Sequence, residues 1–137
     1  MKLQKLISKL EKHHKKKLDL SLGRTFNLLK KLGNPQDKLK NVITVVGTNA
    51  KASMCYSLKS ILNQGGYKTN LYTSPHLLSY TERYVFEDKE INEEDLIELL
   101  TDVEKTLGDD NATLFEILTC AFLKYAENFK DNVNIIE

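Results

Sequence analysis

An α/β fold with a parallel sheet and flanking helices is the class this sequence predicts, on three observations. Val42-Ile43-Thr44-Val45-Val46 is a continuous, mostly β-branched run of the kind carried by a strand buried on both faces. It feeds a short turn, and from Ala52 to Gln64 the apolar residues Met54, Cys55, Leu58, Ile61 and Leu62 recur at helical spacing. Further strand patterns at Lys68 to Tyr72 and Asn132 to Glu137 alternate with helical ones, which implies right-handed crossovers between parallel strands.

The elements follow in order. Leu3, Leu6, Ile7 and Leu10 make a helical stripe beneath Lys2, Lys5, Lys9 and Lys12, predicting an opening helix from about Lys2 to Lys17 with a solvated basic face. His13, His14 and Lys15 to Lys17 suit the end of that helix, where cations oppose the dipole. A second helix near Thr25 to Lys31 stops at Gly33-Asn34-Pro35. The strand near Asn41 to Val46, the helix after its turn and a short strand at Lys68 to Tyr72 come next. Thr73 to Glu90 is mostly irregular, with a short strand at Tyr84 to Glu87, and a long irregular stretch inside a compact domain reads as a functional loop or as disorder. Asn92 can cap a helix to about Leu107, and Thr113 with Glu116 forms a capping-box pattern opening a helix to about Phe129.

The turn between the first strand and its helix carries the chemistry. Backbone N–H groups at a helix start have no intrahelical partner and lie at the positive end of the macrodipole, so anions bind there. Lys51 emerges from the same turn and adds a full charge, which packing does not require and phosphate neutralisation does. The strict pattern G-x-x-x-x-G-K-[ST] is not met: Val45, Ala50 and Ala52 stand at its two glycines and its final hydroxyl. Ser53 could bond a phosphate oxygen or magnesium, or only cap the helix. Thr48 and Asn49 could touch ligand or only brace the turn.

The stretch Gly47-Thr48-Asn49-Ala50-Lys51-Ala52-Ser53 resembles the G-T-N-G-K-G-S loop of the folylpolyglutamate and dihydrofolate synthase branch of the Mur ligase superfamily. Leu71 to Leu77 with Glu82-Arg83 resembles the Y-T-S-P-H-L loop and E-R-I segment of the same branch. Leu32 to Pro35, Gly65-Gly66-Tyr67, Ile91 to Asp95 and Phe115-Glu116 agree, so the resemblance runs from about Leu18 to Glu137. It implies a P-loop NTPase-like parallel sheet of the Mur ligase central-domain type, here incomplete. Residues 1–40 would be a helical segment and 41–137 the first part of the ATP-binding ligase domain, with the rest of that domain and a C-terminal domain absent.

The resemblance also implies the reaction: ATP-dependent amide formation between folate or dihydropteroate and L-glutamate, through an acyl phosphate, with magnesium. It gives Lys51 the catalytic role and Gly47 to Ser53 the nucleotide. Thr73, Ser74, Pro75, His76, Arg83 and Phe115 would line the substrate site; Ser74 and Glu137, with Ser53 a further candidate, would hold the metal. The plainer alternatives are a Ser-Pro turn with an exposed histidine, a core phenylalanine, and Glu116 serving only its cap. A carboxylate at the C-terminal end of a parallel strand, as Glu137 would be, lies at the crevice where open α/β sheets bind ligands. A chain of this length would bind without turning over, as one part of a split enzyme completed by a separately encoded C-terminal half, or as a non-catalytic nucleotide-binding or interaction module.

Charge is uneven within the 137 residues. Residues 1–40 hold twelve Lys or Arg against three acids, and 41–137 hold eight against sixteen. The basic part has only Phe26 for base stacking, so nucleic-acid binding is the weaker reading. Cys55 and Cys120 lie on apolar helical faces without metal-ligand spacing and read as buried thiols in a reducing cytoplasm. No apolar stretch approaches the roughly 20 residues that span a bilayer, and no secretory signal pattern stands at the start.

Overall fold

The computed structural model describes residues 2–13 and 22–137. They fall into two compact units, Met1–Asp37 with Glu93–Tyr125, and Lys38–Asn92 with Ala126–Glu137.

The first unit is helical. Helix α1 (Lys2–Leu10), extended by a 3-10 turn at Glu11–His13, and helix α2 (Gly23–Lys31) both pack on α4 (Glu93–Leu107), and α5 (Leu114–Ala126) follows. The remainder of the expected opening helix, 14–17, lies outside the described residues. Leu3, Ile7 and Leu10 are buried as the stripe requires, and Leu28, Leu96, Leu100, Leu107, Ile117 and Phe122 of the same unit are buried as well. Gly33 and Asn34 end α2 with positive φ of 86° and 51°, and Asn34 N–H returns to the Leu29 carbonyl at 2.8 Å. That is the left-handed helix terminus which a glycine followed by an asparagine permits. The capping box at α5 forms both bonds: Glu116 N–H donates to Thr113 Oγ1 (3.1 Å), and Thr113 N–H donates to Glu116 Oε2 (2.7 Å). Arg24 adds a double contact to the same carboxylate, Nε at 3.2 Å and Nη2 at 3.0 Å. Burial would raise the Glu116 pKa, but the bonds from Arg24 and Thr113 hold it below the usual glutamate value.

The second unit is a five-stranded sheet in the order β1-β5-β2-β3-β4, where β1 is Val42–Thr44, β2 Thr69–Tyr72, β3 Tyr84–Phe86, β4 Lys89–Glu90 and β5 Val133–Ile136. β5 lies between β1 and β2 and is parallel to both, with Ile43 opposite Ile135 and Asn70 opposite Asn134. Helix α3 (Lys51–Gln64) makes the crossover from β1 to β2 and packs on β2 and β5 through Cys55, Leu58 and Leu62, over Leu71 and Ile135.

The parallel-sheet expectation therefore holds for three strands, and β3 and β4 are antiparallel additions. Glu87 and Asp88 form their two-residue turn, both at positive φ (47° and 68°), the geometry that matches strand twist. Lys59 and Asn63 on α3 bond the Asp88 carboxylate and anchor the turn.

Two apolar patterns end up less buried than their spacing suggests. Among the described residues β1 pairs only with β5 and is an edge strand, so Val42 is 47% exposed; beyond its end Val46 is 83% exposed. On α3 Cys55 is fully buried, but Met54 and Ile61 face outward, because the sheet covers one side of the helix. Among the described residues no helix is long and apolar enough to cross a membrane.

Candidate functional site at the C-terminal ends of the parallel strands

The turn after β1 has the expected strand-to-helix form. Val45 N–H still bonds the Ile136 carbonyl at 2.8 Å, and the chain then leaves the sheet. Gly47 has φ of 155°, a conformation side chains rarely adopt, although a Cβ would meet nothing closer than 3.8 Å; backbone freedom rather than space requires the glycine. Ala50 is the residue before α3 and sits in the left-handed region at φ 56°, ψ 16°. Ala52 is inside the helix. Of the two alanines that replace glycine in the resembled loop, only Ala50 bears strain, at about 1–2 kcal/mol for a residue with a Cβ.

Lys51 opens the helix, and its Nζ lies 3.9 Å from Glu137 Oε1. Glu137 follows β5, and its backbone N–H donates to the Tyr72 carbonyl at 2.9 Å, so the ends of β2 and β5 fix it. Its side chain is only 4% exposed, against 32% for Lys51. The other carboxylate oxygen accepts the backbone N–H of Ser74 at 3.1 Å. One carboxylate therefore faces both the lysine of the first turn and the loop after β2. Thr48, Asn49 and Ser53 are exposed around the start of α3.

The loop after β2 is closed on itself. Thr73 N–H bonds the Arg83 carbonyl at 3.3 Å, and the Ser74–Pro75 peptide is cis. Glu82 accepts the backbone N–H groups of Leu77, Leu78 and Ser79 at 2.8, 2.7 and 2.6 Å, which holds its carboxyl below the usual range. Ser79 returns a side-chain bond to the Thr81 N–H and caps the 3-10 turn at Tyr80–Arg83. Arg83 Nε donates to His76 Nδ1 at 2.9 Å, and the His76 ring lies 4.1 Å from that of Tyr80. Burial and the Arg83 charge lower the His76 pKa, against a smaller opposing pull from Glu82. Leu77 and Leu78 point outward, 91% and 94% exposed.

Of the residues singled out from the sequence, Lys51, Ser74 and Glu137 come together at one end of the sheet, and His76 and Arg83 pair within the adjoining loop. Phe115 belongs to the helical unit, in the first turn of α5, and is 51% exposed. The sequence reading passed over Tyr80 and the carboxylate role of Glu82; the Ser79–Glu82 capping-box spacing was the available signal.

Divalent metals such as magnesium take one or two carboxylates and complete their shell with phosphate and water oxygens. The Glu137 carboxylate, between Lys51 and the Ser74 amide, is a hard-oxygen group of the kind such an ion takes. Among the described residues no group of three His, Cys, Asp or Glu side chains could form an all-protein cage.

A sheet with three parallel strands, whose first crossover begins in a lysine-bearing turn and whose adjacent parallel strand ends in a carboxylate, defines an α/β domain with those two groups at the crevice where open α/β sheets bind ligands. No protein-family model matches the chain. It is 37% identical over 131 residues to the dihydrofolate synthase/folylpolyglutamate synthase of Escherichia coli, covering 96% of this chain and 31% of that one. It is 36% identical over 110 residues to the dihydrofolate synthetase of Saccharomyces cerevisiae, covering 79% and 26%. Among solved structures, E. coli FolC in complex with DHPP and ADP matches 98% of this chain with a TM-score of 0.90 at 36% identity. A bifunctional folylpolyglutamate synthase/dihydrofolate synthase with Mn, AMPPNP and L-glutamate bound matches the same share with a TM-score of 0.89 at 32% identity. The chain belongs to the folylpolyglutamate synthase/dihydrofolate synthase family, and it spans about a quarter to a third of the length of these relatives.

Proposed function

We propose that this chain carries the phosphate-binding turn and the acid-substrate loop of an ATP-dependent ligase that joins L-glutamate to folate or dihydropteroate. The observation that carries the reading is the shared position of Glu137, 3.9 Å from the Lys51 ammonium and 3.1 Å from the Ser74 amide. Residues 41–137 would be the first part of the ATP-binding domain and 1–40 a helical segment preceding it, in a cytoplasmic protein.

In this reading the backbone of Gly47 to Ser53 wraps the phosphates at the start of α3, and Lys51 neutralises the γ-phosphoryl as it passes to the substrate carboxylate. The amine of L-glutamate then attacks the acyl carbon and phosphate leaves. Glu137 and Ser74, with Ser53, would hold magnesium, which supplies charge neutralisation at the phosphate oxygens. Thr73 to His76 and Arg83 would line the pterin or folate site, and the loop they belong to would keep water from the activated acid.

Calorimetric titration of the chain with Mg-AMPPNP tests this. Binding is expected, weakened at least about tenfold by Lys51→Ala, with ATP consumed only when dihydropteroate or a folate, L-glutamate and the remaining part of such an enzyme are all supplied. A second reading, a non-catalytic nucleotide-binding or interaction module, draws on the strained Ala50 and on the one-third coverage of the relatives. Nucleotide binding with no turnover after addition of a separately encoded C-terminal half would favour it.

A further inference from the structure

We infer that Arg83 is a positioning residue that holds His76 as the neutral imidazole with its proton on Nε2, so that the loop presents one directed N–H donor to an acceptor atom of a heteroaromatic acid substrate. The substrate half rests on the function proposed above; the positioning half rests on geometry alone.

A guanidinium has only donors and keeps its charge throughout the ordinary pH range. Its Nε–H, aimed at His76 Nδ1 from 2.9 Å, needs a lone pair there. The ring proton must then sit on Nε2, which faces away from the arginine. Turning the ring over would set a C–H against the guanidinium and leave an N–H without its acceptor, and the Tyr80 ring at 4.1 Å backs the present orientation. The Arg83 guanidinium also lies over the Tyr80 ring, 5.2 Å from its centroid, so both side chains of the pair lean on one aromatic.

The backbone N–H groups of Leu77, Leu78 and Ser79 are already consumed by Glu82, and that of Ser74 by Glu137. A ligand reaching His76 therefore meets an imidazole N–H next in the chain to the exposed Leu77 and Leu78, with the Arg83 guanidinium behind it. Such a combination suits a flat ring bearing a carbonyl oxygen or ring nitrogen.

Long-range 1H–15N spectra of the histidine rings of the full chain test the positioning half, with His76 assigned by its loss in His76→Gln. We expect a pyridine-like Nδ1 and a pyrrole-like Nε2 in the native chain. Arg83→Met should give a mixture of tautomers, and Arg83→Gln, an uncharged donor, should restore the single one. An Nδ1–H tautomer in the native chain, or an Arg83→Met spectrum identical to native, overturns the inference. Binding of dihydropteroate tests the substrate half: Arg83→Met and His76→Phe should each weaken it about tenfold while Mg-AMPPNP affinity stays unchanged. If the tautomer behaves as expected and dihydropteroate does not bind the native chain, the substrate reading fails and the positioning role stands.

Discussion

Ala50 shows how one residue departs from the resembled motif at a measurable cost. Its left-handed backbone is what glycine takes without penalty, and the position is set by the turn into α3 rather than by the side chain. Ala50→Gly should remove about 1–2 kcal/mol of strain and return about 0.5–1 kcal/mol in unfolded-chain entropy, so the net gain stays within about 1.5 kcal/mol. An increase in the urea midpoint at unchanged slope is the expected result. Lys51 belongs to the same scale: the sequence alone pointed to it, because a lysine in a strand-to-helix turn has no packing role. Glu137 was legible too, as a strand-end carboxylate at the same crevice, and the structure adds its 3.9 Å separation from Lys51 with β5 lying next to β1. The pairing of His76 with Arg83 was hidden, since seven residues of irregular chain carry no periodicity from which a contact could be read.

At the scale of elements, caps and registers decide more than propensity does. The α5 capping box was legible because its bonds are local, but Arg24, ninety-two residues earlier in the chain, was not. Thr113→Ala should cost about 1 kcal/mol in a denaturant titration. The pH dependence follows from Glu116. Its carboxyl is held below the ordinary glutamate value of 4.5, so its stabilising contribution is fully present above about pH 4.5 and is lost as pH falls through the folded value. Stability profiles of native and Glu116→Gln chains should therefore converge on the acid side of pH 4.5 and diverge above it.

The β2–β5 pairing has its own polar lock. Asn70 Nδ2 donates to Asn134 Oδ1 at 2.9 Å, Asn132 Nδ2 donates to Asn70 Oδ1 at 3.0 Å, and Asn134 Nδ2 reaches the Lys40 carbonyl at 3.0 Å. All three side chains are buried, so shifting the register by one residue would strand them without partners. Asn70→Ala should cost about 1–3 kcal/mol, read as a lower urea midpoint. By contrast, nothing in Phe86-Glu87-Asp88-Lys89 carried the glycine or asparagine signal of a tight hairpin. The left-handed turn there is held by Lys59 and Asn63, residues no local pattern could supply.

Across the whole molecule each unit contains one thiol, Cys120 in the helical unit and Cys55 in the sheet unit, and both are fully buried. Burial, with the Glu116 charge, pushes the Cys120 thiol up to about 12. Neither should react with a disulfide reagent in the native chain, and both should react in denaturant. Labelling each alone, in Cys55→Ala and Cys120→Ala backgrounds, reports the opening of its own unit across a urea titration. Native reactivity of either would contradict the packing described here.

The sequence by itself determined the strand-to-helix turn, the helix patterns, the family and the residues that mark its two loops, because each of these is written in short-range spacing. Tertiary structure alone decided that β5 enters between β1 and β2, that β3 and β4 run antiparallel, and that α4 and α5 share a unit with α1 and α2. It also decided how near Glu137 comes to Lys51 and which guanidinium meets His76. Those outcomes depend on pairings between residues far apart in the chain, and on which faces a neighbour covers, and neither leaves a periodic trace in the order of amino acids.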